Sequence, residues 1–300
     1  MQNLIRNLLV AGVLFTSAAA SADDNGRLFI IGDATPYGWD LDMAQALMSS
    51  SENPAVYTGT LYLKGGENNT FKFMQAHEWG STEYGIPAEA AVSGEIQLAS
   101  GTLDDGYSKM YVAEAGNYYI SVDTQNLKGE ISRSEYQENE IQYCTLFLVG
   151  DATEGGWSVE EGTPLYQSAA LPCEYSATVA LKSSGSFKIA TALRGAGSWD
   201  AKYYYFKDVD EEGKISTDST DDRQWKVSED GNYIVTVNTI SGTISITKDN
   251  GIPTGIEAAV AEAADVTTSY YTLQGCKVTN PTKGVFIKVT GNNVEKVILR

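Results

Sequence analysis

The chain has 300 residues and a net charge of −18 at pH 7, with 21 Lys and Arg against 39 Asp and Glu. This length suits about two or three domains that each bury their own core. No cluster of basic residues longer than a pair is present, so a nucleic-acid partner is not expected.

Residues 1–22 are predicted to be a secretory signal peptide. Arg6 supplies the positive start, residues 8–15 are apolar, and residues 18–22 (AAASA) form a small-residue cleavage region. No later segment approaches the run of about 18 apolar residues that a transmembrane helix requires. The cleavage region has no cysteine, so a lipid anchor is not expected there. The sequence therefore predicts an exported protein.

An internal repeat organises the next 230 or so residues. Residues 28–39 (LFIIGDATPYGW) recur as residues 146–157 (LFLVGDATEGGW). Further matching blocks follow in the same order: YTGTLYL and YSATVAL, TFKF and SFKI, GNYYISVDT and GNYIVTVNT. We therefore predict two copies of one domain, residues 23–135 and residues 136–249.

Alternation of apolar and polar residues indicates strands within each repeat. Tyr118, Ile120 and Val122 share one face of such a strand, while the residues between them share the other. Clusters of Gly, Asn, Asp and Ser separate the strands and predict turns. The expected fold is all-β, with two tandem antiparallel β-sandwich domains of the immunoglobulin-like or carbohydrate-binding-module-like kind. Residues 41–48 are the one segment where a short helix is expected.

The composition changes after the second repeat. Residues 250–268 are small and acidic and predict a linker. Residues 269–300 contain three short strand-like segments, YYTLQGCKV, KGVFIKV and VEKVILR. Because this tail is too short to bury a large core, it is better suited to act as a targeting signal or an anchor than as a catalytic unit.

The ordered blocks of residues 27–135 and 145–249 resemble the repeated domains of the SusE/SusF family of starch-binding surface proteins. The resemblance implies non-catalytic carbohydrate-binding modules with an α-glucan as ligand. It also implies a partnership with a TonB-dependent importer of the outer membrane. Family members carry an N-terminal lipoprotein cysteine, and this chain has none at its cleavage region.

The tail, residues 269–300, resembles a type IX secretion sorting domain in its pattern YYTLQG-x-x-V, KGVFIK and a basic last strand. The resemblance implies that secretion machinery recognises the tail. The expected location is then the outer-membrane surface or the extracellular space.

A sugar-binding site needs an aromatic plane for the C–H face of the ring and polar groups for its hydroxyls. Trp79 and Trp199 each follow the FKF or FKI strand after a short polar loop, and tyrosines follow both. Lys72 and Lys188 lie in those strands at positions that alternation directs to the outer face. The predicted ligand-binding residues are Trp79, Tyr84 and Lys72 in the first repeat, and Trp199, Tyr203, Tyr204, Lys188 and Arg194 in the second. The alternative is that the two tryptophans anchor their loops and the two lysines are solvated surface residues.

The tryptophans of the repeated motif, Trp39 and Trp157, are expected to plug the end of each sandwich. Asp33 and Asp151 are expected to cap neighbouring backbone N–H groups. Cys144 and Cys173 are either a disulfide, which export permits, or two buried thiols.

No catalytic residue, cofactor or metal is predicted. His77 is the only histidine, which excludes a metal site built on several imidazoles. Residues 208–219 imitate a calcium loop, but Ser219 stands where a bidentate Glu is needed. The leading hypothesis is a non-catalytic glycan-binding protein. The alternatives are a structural or adhesive surface protein and, third, a glycoside hydrolase.

Overall fold

The structure is a computed structural model. It describes residues 26–49, 53–193, 202–218, 220, 222–250, 268–271, 277–278, 284–290 and 293–299. The predicted signal peptide and most of the predicted linker lie outside the described residues. The chain divides into two compact units, Met1–Ile252 with both repeats and Pro253–Arg300 with the tail.

The first repeat is built almost entirely from one antiparallel sheet. Its strands are β1 Arg27–Ile31, β2 Gln45–Ser49, β3 Val56–Leu63, β4 Lys72–Met74, β5 Glu83–Gly85, β6 Ala90–Ala91, β7 Gly94–Gln97, β8 Ala99–Gly101, β9 Met110–Tyr111, β10 Gly116–Asp123 and β11 Lys128–Arg133. The sheet order is β7-β11-β10-β3-β2-β1-β4-β5-β8, and β6 and β9 form a separate parallel pair.

The sheet of the second repeat, when its order is read in the opposite direction, repeats that order without a counterpart of the edge strand β7. Its strands are β12 Thr145–Val149, β13 Thr163–Gln167, β14 Glu174–Leu181, β15 Lys188–Ala190, β16 Tyr204–Lys207, β17 Ile215–Ser216, β18 Gly231–Asn238 and β19 Thr243–Lys248. The sheet order is β17-β16-β15-β12-β13-β14-β18-β19. The prediction of an all-β fold with two antiparallel, sandwich-like repeats is confirmed.

Each sheet curls around its own core. In the first repeat, Phe73 on β4 and Ile120 on β10 are fully buried in one hydrophobic cluster, although their strands lie on different halves of the sheet order. Tyr118 and Val122 join that cluster while Tyr119 is exposed, as alternation predicted. The second repeat has an equivalent cluster that includes Ile189 and Val235.

A third hydrophobic cluster joins the two repeats. Phe29 and Ile31 on β1 share it with Phe147 and Val149 on β12. These residues occupy the outer faces of their strands, so the repeats pack through surfaces that point away from their own cores. Burial of this apolar surface stabilises the pair of repeats relative to either repeat alone. The boundaries at residues 23–135 and 136–249 stay a prediction.

Hydrogen bonds reinforce the contact between the repeats. The Arg27 guanidinium donates to the carbonyl oxygens of Glu160 at 2.6 Å and Gly162 at 3.1 Å. The Gln167 amide accepts from the Thr60 N–H at 2.7 Å and donates to the Thr60 carbonyl at 2.8 Å. These bonds fix the register of one repeat on the other.

The expected helix at residues 41–48 is wrong. Only Leu41–Met43 form a 3₁₀ turn, which begins where the Asp40 carboxylate accepts from the Asp42 N–H. The chain then becomes extended at Ala44, and β2 pairs with both β1 and β3. Pairing on two sides outweighs the weak local preference for helix.

Cys144 and Cys173 are free and buried, so the thiol alternative holds and the disulfide does not. Burial raises the pKa of the Cys144 thiol far above its usual range, and such a thiol is unreactive.

The tail forms a four-stranded antiparallel sheet in the order β21-β20-β22-β23. The strands are β20 Thr268–Tyr271, β21 Lys277–Val278, β22 Gly284–Thr290 and β23 Asn293–Leu299. Its proposed role in sorting stays a prediction. Across the described ranges, no helix has the length and apolar character to cross a membrane.

Candidate functional site

The repeated Gly-Asp-Ala-Thr turn places a tryptophan at the end of β1. A Cβ on Gly32 would lie 2.2 Å from the Thr70 carbonyl oxygen, so only glycine fits there. Gly38 has a φ of 64°, a conformation that glycine adopts without strain. The Thr35 hydroxyl donates to the Gly32 carbonyl at 2.9 Å and closes the turn. Trp39 follows directly and is held against the sheet.

Lys72 lies beside this turn because β4 pairs with β1, where Lys72 is opposite Ile31. The neighbouring Phe73 points into the core, so Lys72 points to the outer face, as predicted. It is not a solvated lysine, however, because its side chain is only 5% exposed. Its Nζ lies 5.7 Å from the ring centroid of Trp39 and 5.6 Å from that of Trp79, within the range of cation–π attraction.

A buried carboxylate neutralises Lys72. Glu83 on β5 is fully buried, and its Oε2 lies 2.6 Å from Lys72 Nζ. The Tyr107 hydroxyl lies 3.0 Å from the same Nζ and donates to Glu83 Oε2. The third neighbour of the ammonium is Asp104 Oδ1 at the longer distance of 3.5 Å. The ammonium therefore has two short polar contacts and one long contact, the long one to the half-exposed Asp104 carboxylate.

Asp104 is held in its ionised form. A hydrogen bond from the Tyr107 hydroxyl at 2.8 Å lowers the pKa of Asp104, and the ammonium groups of Lys109 and Lys72 lower it further, against a smaller opposing effect of burial. Burial and the two carboxylates Glu83 and Asp104 raise the pKa of Tyr107. At neutral pH the tyrosine is thus neutral, and its single hydroxyl proton is shared between the two carboxylates.

Lys72 and Asp104 line an open cavity of about 460 Å³. Its walls combine two indole rings with ammonium, carboxylate and hydroxyl groups, contributed by Asp33, Trp39, Thr70, Lys72, Trp79, Leu103, Asp104 and Lys109. Asp33 accepts from Trp39 Nε1 at 2.7 Å, so its carboxylate orients the indole instead of capping a backbone N–H. The cavity offers flat apolar surface and hydrogen-bonding groups side by side.

The structure brings together two of the three residues predicted for the first repeat. Trp79 and Lys72 line the cavity. Tyr84 does not, because it pairs with Phe73 across β4 and β5 and is buried in the inner core. Its hydroxyl donates to Gln75 at 2.8 Å. The expectation that Trp39 is a buried plug is also wrong, since part of its ring remains exposed in the cavity wall.

The second repeat places corresponding residues around Lys188. Its ammonium forms an ion pair with Asp222 and lies 5.5 Å from the centroid of Trp157. Desolvation lowers the pKa of Lys188, while Asp222 opposes that effect. Trp157 is partly exposed, so it too is not a buried plug. Asp151 does act as a cap, accepting from the Ser186 N–H at 2.7 Å.

The remaining predicted residues of the second repeat have different outcomes. Trp199 and Arg194 lie outside the described residues. Tyr204 contacts Lys188, with its ring centroid 5.5 Å from Nζ, but it is fully buried in the cluster between the repeats. Tyr203 packs against that same cluster. Tyr204 therefore offers no open ring face, whereas Tyr203 is only half-buried, with Lys202 Nζ 5.3 Å from its ring centroid, so its role in binding stays a prediction.

Sequence reasoning missed Glu83, Tyr107, Asp104, Lys109 and Leu103. No motif marks them, because they lie on β5 and in the segment after β8, which have no matched block in the second repeat. Leu103, Asp104 and Lys109 line the cavity, whereas Glu83 and Tyr107 contact Lys72. Trp39 did carry a signal, which was the recurrence of Gly-Trp in both repeats.

No metal centre is apparent in the part of the chain that the structure describes, where no three His, Cys, Asp or Glu side chains are grouped to hold an ion. Asp208, at the start of the calcium-like segment, accepts from the backbone N–H groups of Asp210 and Glu211. It therefore behaves as the acidic residue of an ordinary turn.

Residues 27–130 match a family described as SusF/SusE starch specific CBMs, that is, carbohydrate-binding modules. The first repeat is therefore similar to the SusF/SusE family over these residues. The match covers the whole cavity, from Asp33 to Lys109. Because the family consists of binding modules, the expectation of a non-catalytic protein agrees with it.

The crystal structure of SusF from Bacteroides thetaiotaomicron is similar over 93% of this chain and 61% of the SusF chain, with 18% identity and a TM-score of 0.34. The chain thus spans 61% of the length of that relative. No curated protein matches the chain in sequence.

Proposed function

We propose that this protein binds starch or a related α-glucan, without catalysis, in the cavity formed by Trp39, Trp79 and Lys72. The observation that carries the proposal is the pair of partly exposed indole rings, each less than 6 Å from one buried lysine. Indole rings stack on the C–H face of a glucose unit. A fixed ammonium can donate to the hydroxyls at its edge.

The charges of the cavity favour a neutral ligand. Lys72 and Lys109 contribute two positive charges, and Asp33 and Asp104 contribute two negative ones. The buried Glu83 is already bonded to Lys72. A site for phosphate or another polyanion would carry a clear excess of positive charge. A balanced set of donors and acceptors suits the hydroxyls of an uncharged glycan.

Hydrolysis is disfavoured by the state of the carboxylates. A glycosidase needs one carboxyl group with a raised pKa to protonate the leaving oxygen. The pKa of Asp104 is lowered instead, and Glu83 is buried beneath Lys72 and Tyr107. Neither group has the properties of a general acid.

The second repeat supports a second site around Lys188 and Trp157, completed by the proposed ligand residues Trp199 and Arg194. Its affinity would differ from that of the first site, because the buried Glu83 has no counterpart: the matching position, opposite Ala190 on β15, is Tyr204.

The family supports a location at the cell surface. Export by the signal peptide, recognition of the tail by secretion machinery and cooperation with a TonB-dependent importer remain parts of this proposal. A surface protein that holds starch near an importer would raise the local concentration of substrate.

Calorimetric titration of the full chain with maltoheptaose tests the proposal. Trp79→Ala should weaken binding by about tenfold or more, by loose analogy with the roughly 1–3 kcal/mol measured for base–aromatic stacking. Trp39→Ala should do the same. Tyr119→Ala is the matched control, since Tyr119 is an exposed aromatic on β10 outside the cavity, 39% exposed against 50% for Trp79. Absence of wild-type binding to maltoheptaose and to starch would refute the proposal.

A further inference from the structure

The rim of the cavity carries a turn with unusual backbone conformation. Leu103 and Asp104 are consecutive, and both have positive φ, at 50° and 66°. The Asp105 N–H donates to the Thr102 carbonyl at 2.9 Å, so the two residues form the corner of a tight hairpin. Such a corner favours Asn-Gly or Asp-Gly. A leucine at its first position is strained, because the left-handed conformation brings its Cβ close to the following carbonyl oxygen.

Folding does not explain why leucine occupies this position. The side chain of Leu103 is 69% exposed, so it gains little from burial. Leu127 provides the contrast, because it also has a positive φ, at 51°, but packs against the core of the first repeat. The strain at Leu127 is offset by buried apolar surface, and the strain at Leu103 is not.

The turn itself is rigidly held. A Cβ on Gly101 would lie 1.5 Å from the Asp105 carbonyl oxygen, so the two sides of the hairpin approach as closely as glycine allows. Asp104 is tied down by Tyr107 at 2.8 Å and by Lys109 at 3.1 Å. Leu103 is therefore fixed at the rim of the cavity, which it lines together with the two tryptophans.

Positive φ recurs at the corresponding lysine of the second repeat. Asp222 has a φ of 42° and pairs with Lys188, just as Asp104 neighbours Lys72. Among the described residues, three of the four non-glycine residues with positive φ thus lie at the two lysine sites, and the fourth is Leu127. Backbone strain concentrated at a cavity points to a role in binding.

We propose that Leu103 is an apolar contact residue for the bound α-glucan, held at the cavity rim by its strained turn. This inference rests on the proposed function of the cavity. The isobutyl group covers the C–H surface of a glucose unit that extends beyond the indole rings. The site thereby gains a third apolar surface, at a cost to the stability of the free protein.

The test compares Leu103→Asn with Leu127→Asn in the full chain. Asparagine tolerates the left-handed conformation, so Leu103→Asn should melt at the same temperature as wild type or up to about 4 °C higher. Its affinity for maltoheptaose should fall by about threefold to tenfold, the effect of losing part of a buried leucine surface. Leu127→Asn should melt lower and keep wild-type affinity. Leu103→Met, which keeps an apolar side chain, should bind like wild type.

Each other outcome overturns the inference in a recognisable way. If Leu103→Asn binds like wild type while Trp79→Ala does not bind, Leu103 is no contact residue and the proposed function stands. If Leu103→Asn loses affinity together with melting temperature, the turn is structural. If wild type fails to bind maltoheptaose and starch, the proposed function fails and the inference falls with it.

Discussion

Replacing Lys72 by methionine separates the structural role of the lysine from its role in binding. In the folded protein, Lys72 and Glu83 form a buried pair with side-chain exposures of 5% and 0%. Lys72→Met removes the positive charge and leaves the Glu83 carboxylate buried, with Tyr107 as its remaining donor. Methionine fills most of the same volume, so the change is mainly electrostatic.

Lys72→Met is expected to lower the free energy of unfolding substantially, because it removes only one partner of the buried ion pair. Breaking a buried ion pair from one side costs about 3–5 kcal/mol. Tyr107 continues to donate to Glu83, which places the expected loss near the lower end, about 3 kcal/mol. The double variant Lys72→Met with Glu83→Met removes both charges, and its free energy of unfolding should return to within about 1 kcal/mol of wild type.

Lys188→Met is the matched control. Lys188 occupies the corresponding position on β15, but its partner Asp222 is 49% exposed. After the substitution, the Asp222 carboxylate is solvated. The free energy of unfolding should therefore fall by at most about 1 kcal/mol. The same chemical change should therefore have unequal effects in the two repeats.

Urea unfolding followed by circular dichroism measures stability, and calorimetric titration with maltoheptaose measures binding. Both Lys72→Met and the double variant should lose most of the affinity of the first site, although only the single variant is strongly destabilised. Equal losses of stability in Lys72→Met and Lys188→Met would refute the reasoning about burial. Wild-type affinity in the double variant would show that Lys72 does not contact the ligand.

Three further predictions concern acid stability, the contact between repeats and the thiols. The Asp104 carboxylate has a lowered pKa in the folded state, so its contribution is present above the unfolded pKa of about 3.9 and is lost as pH falls through the lower folded value. In Asp104→Asn, the melting temperature should therefore fall less steeply below about pH 4 than in wild type. The same dependence of melting temperature on pH in both proteins would contradict this. Each repeat produced alone, residues 23–135 or 136–249, should keep its β-type circular dichroism because it has its own core, but should self-associate in sedimentation through the uncovered outer face. An unfolded or strictly monomeric fragment would count against that view. In a Cys276→Ser variant, which removes the third cysteine, Cys144 and Cys173 should react with a thiol reagent only in denaturant, and rapid labelling of this folded variant would show that they are not buried.

Local periodicity was enough to predict the strands and their inner faces. Phe73 points into the core and Lys72 points away from it, as alternation requires, because neighbouring side chains of a strand lie on opposite sides. The recurrence of the Gly-Asp-Ala-Thr turn similarly predicted that both repeats share one architecture. These features depend on residues close together in the chain.

The surroundings of each outer face depended on tertiary structure. Lys72 was expected to be accessible, yet Glu83 and Tyr107 cover it from 11 and 35 residues away. Tyr84 looked like a surface tyrosine because it follows Trp79, but its pairing with Phe73 directs it inward. The register between two strands is set by pairing between segments that are distant in the chain, so it cannot be predicted from the local sequence pattern.

The sequence by itself determined that the chain is a pair of β repeats with aromatic and basic residues recurring beside the same strand. Only the tertiary structure decided which of those residues meet in one cavity, since the cavity is assembled from the turn after β1, from β4 and the loop that follows it, and from the segment between Leu103 and Lys109. The tertiary structure also decided that the outer faces of β1 and β12 are buried against each other. Contact between two sheets depends on their folded surfaces and not on the sequence of either strand alone.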